Sequence, residues 1–266
     1  MTAPPLVDTH CHLDAPQFAD APTADLLARA AQAGVGRVVT IGTDLATSEA
    51  ALDLARAHDG LWATVGIDPN DAAGVDEAAL RRLEALAAAP EVVAIGEIGL
   101  DYHWLRSGRE VQLAAFRAQL DLAAALGLPV VVHDRDAHAD TTDVLLGWAA
   151  GRPAGRPRGV MHCFSGDLAM ARALVAAGFL VSLAGVVTFP SAAATREVAA
   201  GLPAGALVLE TDAPWLAPHP RRGERNEPAN VRLVAERVAL LRGEPLAAVA
   251  AQTSANAVRL FGWEAA

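Results

Sequence analysis

Apolar residues gather into short runs that recur along the chain, at Leu6 to Thr9, Arg37 to Ile41, Leu61 to Ile67, Val92 to Ile95, Pro129 to Val132, Gly159 to Met161, Phe179 to Val187 and Ala206 to Leu209. Runs of this length, nearly continuous in apolar residues, predict strands buried on both faces. Between them the spacing changes to three and four. From Arg109 to Leu126, the residues Leu113, Phe116, Leu120 and Ala124 form one stripe, and Gly127 stands past the last turn, which predicts a helix. Thr23 is placed to cap an earlier helix carrying Leu26, Leu27, Ala30 and Ala31, with Gly34 to end it. Alternation of strand and helix predicts a parallel sheet. Eight such repeats in 266 residues predict an α/β fold, one (β/α)8 TIM barrel occupying residues 1–266 as a single domain. A doubly wound dinucleotide fold fits less well, because Gly34-Val35-Gly36 precedes a strand and lacks the third Gly. Gly151 to Gly159 is rich in Gly, Pro and Arg but is one loop long, not a linker.

The ends of the apolar runs carry the chemistry. His10 and His12 follow the first run and alternate onto one side of a strand; Glu97 follows the fourth, His133 the fifth, His162 the sixth and Asp212 the eighth. In a barrel the C-terminal strand ends share one rim, so these residues converge although they are distant in sequence. A lone buried His is more often a hydrogen-bonded core residue than a ligand, and a lone buried carboxylate more often an ion-pair partner of Arg. Four His and two carboxylates on one rim point instead to a pair of divalent ions about 3.5 to 4 Å apart, with Glu97 as the bridge. Imidazole suits Zn or Mn, and phosphoryl chemistry suits Mg. His58 and His138 read as residues at helix ends. His103 and His219 fall in loops on the rim side, where His103 is a candidate for substrate contact.

Composition narrows the chemistry. The chain carries 31 acidic and 21 basic residues for a net charge of −10, so a phosphate partner must be met by metal ions or a local basic patch. All 21 basic residues are Arg, which excludes Schiff-base lysines, phosphate-loop lysines and a carbamylated lysine bridge. Arg221, Arg222 and Arg225 after the eighth strand, with Arg106, Arg109 and Arg135, are candidates for that patch, whereas Arg152, Arg156 and Arg158 fall on the opposite face. Two cysteines, Cys11 and Cys163, are too few for a disulfide framework and read as inert thiols. The start Met-Thr-Ala-Pro-Pro lacks the features of a signal peptide, so a cytoplasmic location is expected. Ala173 to Thr195 carries no charge, but Gly178 and Pro190 divide it into a helix end and a strand, which argues against a membrane span.

The motifs together resemble the TatD-type metal-dependent deoxyribonucleases of the amidohydrolase-like barrels. The matching segments run in order from residue 7 to 261: Val7-Asp8-Thr9-His10-Cys11-His12-Leu13-Asp14, Gly96-Glu97-Ile98-Gly99-Leu100-Asp101-Tyr102, the Gln112, Phe116 and Gln119 spacing, His133 to Asp140, His162-Cys163-Phe164-Ser165-Gly166, Leu209 to Trp215, Arg225-Asn226-Glu227-Pro228 and Asn256 to Phe261. The resemblance implies the same metal shell of His10, His12, Glu97, His133, His162 and Asp212. It implies hydrolysis of phosphodiester bonds at single-stranded DNA ends, with Asp212 and Glu97 catalytic, two divalent ions (Mg, Mn or Zn), and no obligate protein partner. One departure stands out: Asp68-Pro69-Asn70 has neither of the His residues that usually flank this proline in the family. Asp68 adds a carboxylate on the rim, which keeps a metal-dependent amide or ester hydrolase open as an alternative, including one acting on D-aminoacyl-tRNA. A non-catalytic metal-binding scaffold is the third reading.

Overall fold

A computed structural model of the chain describes residues 5–150 and 155–264. In chain order the elements are β1 (Leu6–Cys11), α1 (Thr23–Gln32), β2 (Val35–Ile41), α2 (Leu45–Ala57), β3 (Leu61–Val65), α3 (Glu77–Ala87), β4 (Val92–Asp101), α4 (Arg109–Leu126), β5 (Val130–Arg135), α5 (His138–Ala149), β6 (Gly159–Met161), α6 (Leu168–Ala176), β7 (Phe179–Leu183), α7 (Ala193–Gly201), β8 (Leu207–Leu209), α8 (Val231–Arg242) and α9 (Leu246–Phe261). The eight strands pair in sequence order, each parallel to the next. Closure occurs just past the end of β8. There Asp212 N donates to His10 O at 2.9 Å and His12 N to Ala213 O at 2.7 Å, next to a parallel bridge from Cys11 to Ala213. The result is a (β/α)8 TIM barrel.

Two apolar layers hold it. Leu, Val and Ala from the strands and helices form the larger cluster between sheet and helix ring. A second cluster takes Val7, Val39, Val93, Val131, Val160, Leu180 and Val208 from every strand but β3, together with Ala257, Leu260 and Phe261 of α9. That helix plugs the N-terminal end of the barrel: Ser254 bonds the Pro5 carbonyl, and Asn256 Nδ2 donates to the carbonyls of Ala204 and Leu207 at 2.7 Å each. With that end filled, chemistry is confined to the opposite rim.

Some expected boundaries move, each for a local reason. Thr23 does not cap α1; Pro22 holds the N-cap position and its carbonyl takes the amide of Asp25 at 2.9 Å, so Thr23 is already inside the helix. The strand expected over Phe179 to Val187 stops at Leu183, and Gly185–Thr188 turns as a 3-10 helix. A side chain at Gly185 would collide with the Leu216 carbonyl, because the loops after β7 and β8 pack there. The run Leu61 to Ile67 stops pairing after Val65, and side chains complete what the sheet leaves open. Ser48 bonds both backbone groups of Gly66, and Gln119 bonds both backbone groups of Ile67, at 2.8 and 2.9 Å.

Helix α4 spans the expected residues, and Gly127 ends it with φ 68°. Its buried face is rotated from the expected stripe: Gln112, Ala115, Phe116, Gln119, Leu120 and Ala123 face inward, whereas Leu113 and Ala124 are only half-buried. Both glutamines are buried because they satisfy strand-end backbone groups, which a purely apolar stripe could not. The uncharged stretch from Ala173 to Thr195 divides among α6, β7, the 3-10 turn and α7. No helix among the described residues is long and apolar enough to cross a membrane.

Candidate metal centre

The rim residues converge at one end of the barrel, and two strands lose register where they carry His10 and Glu97. The β1–β2 pairing shifts between Asp8 and Cys11, bracketing His10, and the β4–β5 pairing shifts around Ile95 to Ile98, bracketing Glu97. Such irregularities re-aim side chains at barrel rims. Glu97 therefore lies within β4, which continues to Asp101, instead of following its end; His133 likewise lies within β5. Gly99 lets the two strands approach here. Its φ is 144°, and a Cβ would collide with the His133 carbonyl.

Glu97 occupies the middle of the cluster. Its Oε1 lies 2.7 Å from His133 Nδ1 and 3.1 Å from His162 Nε2, while its Oε2 lies 3.3 Å from His10 Nε2 and 3.9 Å from His12 Nε2. Asp212 approaches from the other side, with Oδ1 3.5 Å from His12 Nε2 and 3.7 Å from His10 Nε2. His10 and His162 stack with ring centroids 3.9 Å apart. Asp212 is set by its backbone, which has φ 55° and the bond to His10 described above.

The charges are mutually adjusted. Burial disfavours the Glu97 carboxylate, but the charge of His162 and hydrogen bonds from His10, His133 and His162 outweigh it and hold its pKa well below the usual range. Asp212 is also lowered, where the hydrogen bond with His12 overcomes burial. His10 is lowered by burial and by His162 beside it. His133 goes the other way, to about 9, because Asp101 and Glu97 more than offset its burial. His12 and His162 are raised for similar reasons.

Donor chemistry fits cations. His10 Nε2 faces His12 Nε2 at 3.1 Å, and His133 Nδ1 faces His162 Nε2 at 3.2 Å, each pair turned toward one oxygen of Glu97. Pairs of ring nitrogens converging on a carboxylate could hold a cation, since two neutral imidazoles offer lone pairs that only a proton or a cation can share. Two ligand groupings overlap at His10: one with His12 and Asp212, the other with Glu97 and His162.

Sequence reasoning passed over the residues behind the histidines. Asp101 Oδ2 sits 3.3 Å from His133 Nε2, and Glu210 Oε1 sits 3.4 Å from His162 Nδ1 while accepting the Cys163 amide at 2.6 Å. Carboxylates in these positions fix the tautomer that presents the opposite nitrogen to a metal. Asp8, also fully buried, accepts from the Thr211 amide and hydroxyl at 2.9 and 2.6 Å, which ties β1 to the chain beyond β8. A signal existed: Asp101 stands four residues after Glu97 at the end of β4, and Glu210 two before Asp212, just past the end of β8.

The other expected residues are engaged by separate neighbours. His103 pairs with Asp136 at 3.1 Å, Arg135 lies over Trp104, Arg221 pairs with Glu224, Arg222 lies over Phe189, and Arg225 binds Asp20 and the Gln17 carbonyl. Arg109 lies over Tyr102, whose hydroxyl donates to Asp140 at 2.5 Å. Arg156 and Arg158 bond the carbonyls of Gly127 and Ala177 on the N-terminal side, and Arg152 lies outside the described residues. Asp68 closes its own turn, accepting from the amides of Asn70 and Asp71 at 3.0 Å each and from Asn70 Nδ2 at 3.2 Å. Burial and the charge of Glu97 raise its pKa to about 6. Burial likewise raises both thiols, Cys11 and Cys163.

The profile of the TatD related DNase family matches residues 7–262. An uncharacterized metal-dependent hydrolase, YabD of Bacillus subtilis, is 40% identical over 256 residues, covering 96% of this chain and 98% of its own. The 3'-5' ssDNA/RNA exonuclease TatD of Shigella flexneri is 40% identical over 262 residues, covering 97% and 99%. Among solved structures, the TatD homolog YJJV of Escherichia coli superposes with a TM-score of 0.88 at 33% identity, covering 99% of this chain and 100% of its own.

Proposed function

Because this chain belongs to the TatD-related DNase family, we propose that it is a divalent-metal-dependent exonuclease acting on the ends of single-stranded DNA or RNA, and that it works with two ions. His10, His12 and Asp212 would hold one, His133 and His162 the other, and Glu97 both. The observation that carries this reading is the Glu97 carboxylate, each of whose oxygens faces a different histidine pair. When bound, the ions supply Lewis-acid polarisation of a phosphoryl oxygen and acidify a water for attack.

The chain's own residues do the rest. Asp212 is ionised at neutral pH, and its side chain is 14% exposed where that of Glu97 is 7%, so its carboxylate can reach a water and take its proton at Oδ1 or Oδ2. Asp101 lies within hydrogen-bond distance of His133 Nε2, and Glu210 lies 3.4 Å from His162 Nδ1, an arrangement that would leave the opposite ring nitrogens, which face Glu97, to bind an ion. Arg135, Arg221, Arg222, Arg225 and His103 would meet the flanking phosphates by exchanging their present partners. The turn that Asp68 closes with Asn70 turns its carboxylate onto backbone amides, so it presents less charge to a phosphate than its position suggests.

The test is a time course on end-labelled single-stranded oligonucleotide, with Mg, Mn or Zn added back to chelated protein. Metal-dependent shortening from the 3' end, lost in Glu97→Ala, is the expected result. Absence of shortening with every metal, alongside turnover of an ester or amide panel, would transfer the same centre to the amidohydrolase-like reading.

A further inference from the structure

A cleft of about 510 Å³ opens directly beside His12, within the size range of small-ligand sites. Its walls include Asp14, Pro16, Gln17, Thr43 and the indole of Trp215. Among the described residues, Trp215 is one of five large apolar side chains left exposed, at 46%. Its backbone is nonetheless pinned: the amide donates to Asp212 O at 2.9 Å, and the carbonyl accepts Asn226 Nδ2 at 2.7 Å. The ring meets His12 edge-on, with centroids 5.0 Å apart and planes at 68°. A fixed, exposed indole set against a metal-ligand candidate is a stacking platform at the reaction centre, not a stray surface residue.

From this geometry we infer that the cleft seats the base of the terminal nucleotide, stacked on Trp215 beside Pro16, with the Asp14 carboxylate as acceptor for the base edge. The inference rests on the nuclease reading and adds to it a base-recognition site. Flat apolar walls suit any base, because every base has a π-face. A half-buried carboxylate selects among them. Guanine offers two adjacent donors, N1–H and N2–H, whereas the single N3–H of thymine lies between two carbonyl oxygens that a carboxylate repels. A base lodged here must leave a duplex stack, which accounts for single-stranded or frayed ends as substrate.

The experiment compares oligonucleotides ending in dG, dT or an abasic residue, with cleavage kinetics and quenching of tryptophan fluorescence as separate readouts. Expected are a KM for the abasic end at least about tenfold above that for dG, with dT between them, and quenching by dG ends that the abasic end does not produce. Trp215→Ala should abolish the base dependence, Trp215→Phe should retain part of it, and Asp14→Asn should narrow the dG-to-dT ratio. Should Trp215→Ala fail to fold, the other two variants decide. Cleavage of abasic and dG ends with equal KM would overturn the cleft and leave the nuclease reading standing. A wild-type protein that cuts no oligonucleotide with any metal overturns both.

Discussion

Glu97 places Oε1 2.7 Å from His133 Nδ1 and turns its other oxygen toward His10, 3.3 Å away. One side chain thereby faces histidines from strands on opposite sides of the rim. Its replacement by Gln keeps the shape and removes the charge. Glu97→Gln should lose more than about 100-fold in activity, exceeding what loss of an outer carboxylate causes. Metal content per chain, measured alongside, should also fall; full metal content would show that Glu97 is not the bridge.

Asp101 and Glu210 each reach the far nitrogen of one histidine. Asp101→Asn and Glu210→Gln should each weaken metal binding by roughly 10- to 100-fold without unfolding the barrel. Calorimetric titration of metal into the chelated variants checks this, and affinities equal to wild type would reduce both carboxylates to packing groups.

In chelated protein, His133 has its pKa raised from 6.5 to about 9. A raised histidine stabilises fully below its unfolded value, and that contribution disappears as pH climbs through the folded value. Thermal melts with chelator should therefore show Tm falling between pH 6.5 and 9, from a contribution of up to about 3 kcal/mol. His133→Gln should flatten the slope. Metal affinity should move oppositely, weakening at lower pH, because protons compete for the ring nitrogens.

Gln119 fastens the backbone of Ile67 just before the Asp68 turn. Gln119→Leu leaves a buried N–H and C=O unmatched, a cost of about 2–4 kcal/mol. A urea midpoint unchanged from wild type would contradict this account.

Asp68, with its pKa raised from 3.8 to about 6, binds its proton more tightly when folded, so it lowers stability as pH rises across that interval. In chelated protein Asp68→Asn should be more stable than wild type at pH 7.5 by up to about 3 kcal/mol, and the difference should vanish near pH 4. Paired denaturation curves at the two pH values provide the measurement.

The eight apolar runs were legible in the sequence because burial on both faces is a local property of each strand, and all eight became strands. So were the six rim residues, since a polar group ending an apolar run stands out against its neighbours. Helix α4 shows where that reading fails. Periodicity placed its inward stripe on Leu113, Phe116, Leu120 and Ala124; Phe116 and Leu120 are buried, but Gln112 and Gln119 turn inward where Leu113 and Ala124 do not, serving backbone groups of Asp101 and Ile67. Such demands arise from elements remote in sequence, and no local pattern announces them.

The sequence by itself therefore determined the repeat of strand and helix, the family, and which side chains carry imidazole or carboxylate to one rim. Tertiary structure alone decided which histidines face which oxygen of Glu97, that Asp101 and Glu210 stand behind their histidines, that Arg109, Arg135, Arg221, Arg222 and Arg225 turn to separate partners, and that a cleft opens between His12 and Trp215. The physical reason is range. Helix and strand periodicity act over a few residues, whereas hydrogen bonds, ion pairs and cavities depend on distances of a few ångströms between segments that only barrel closure brings together.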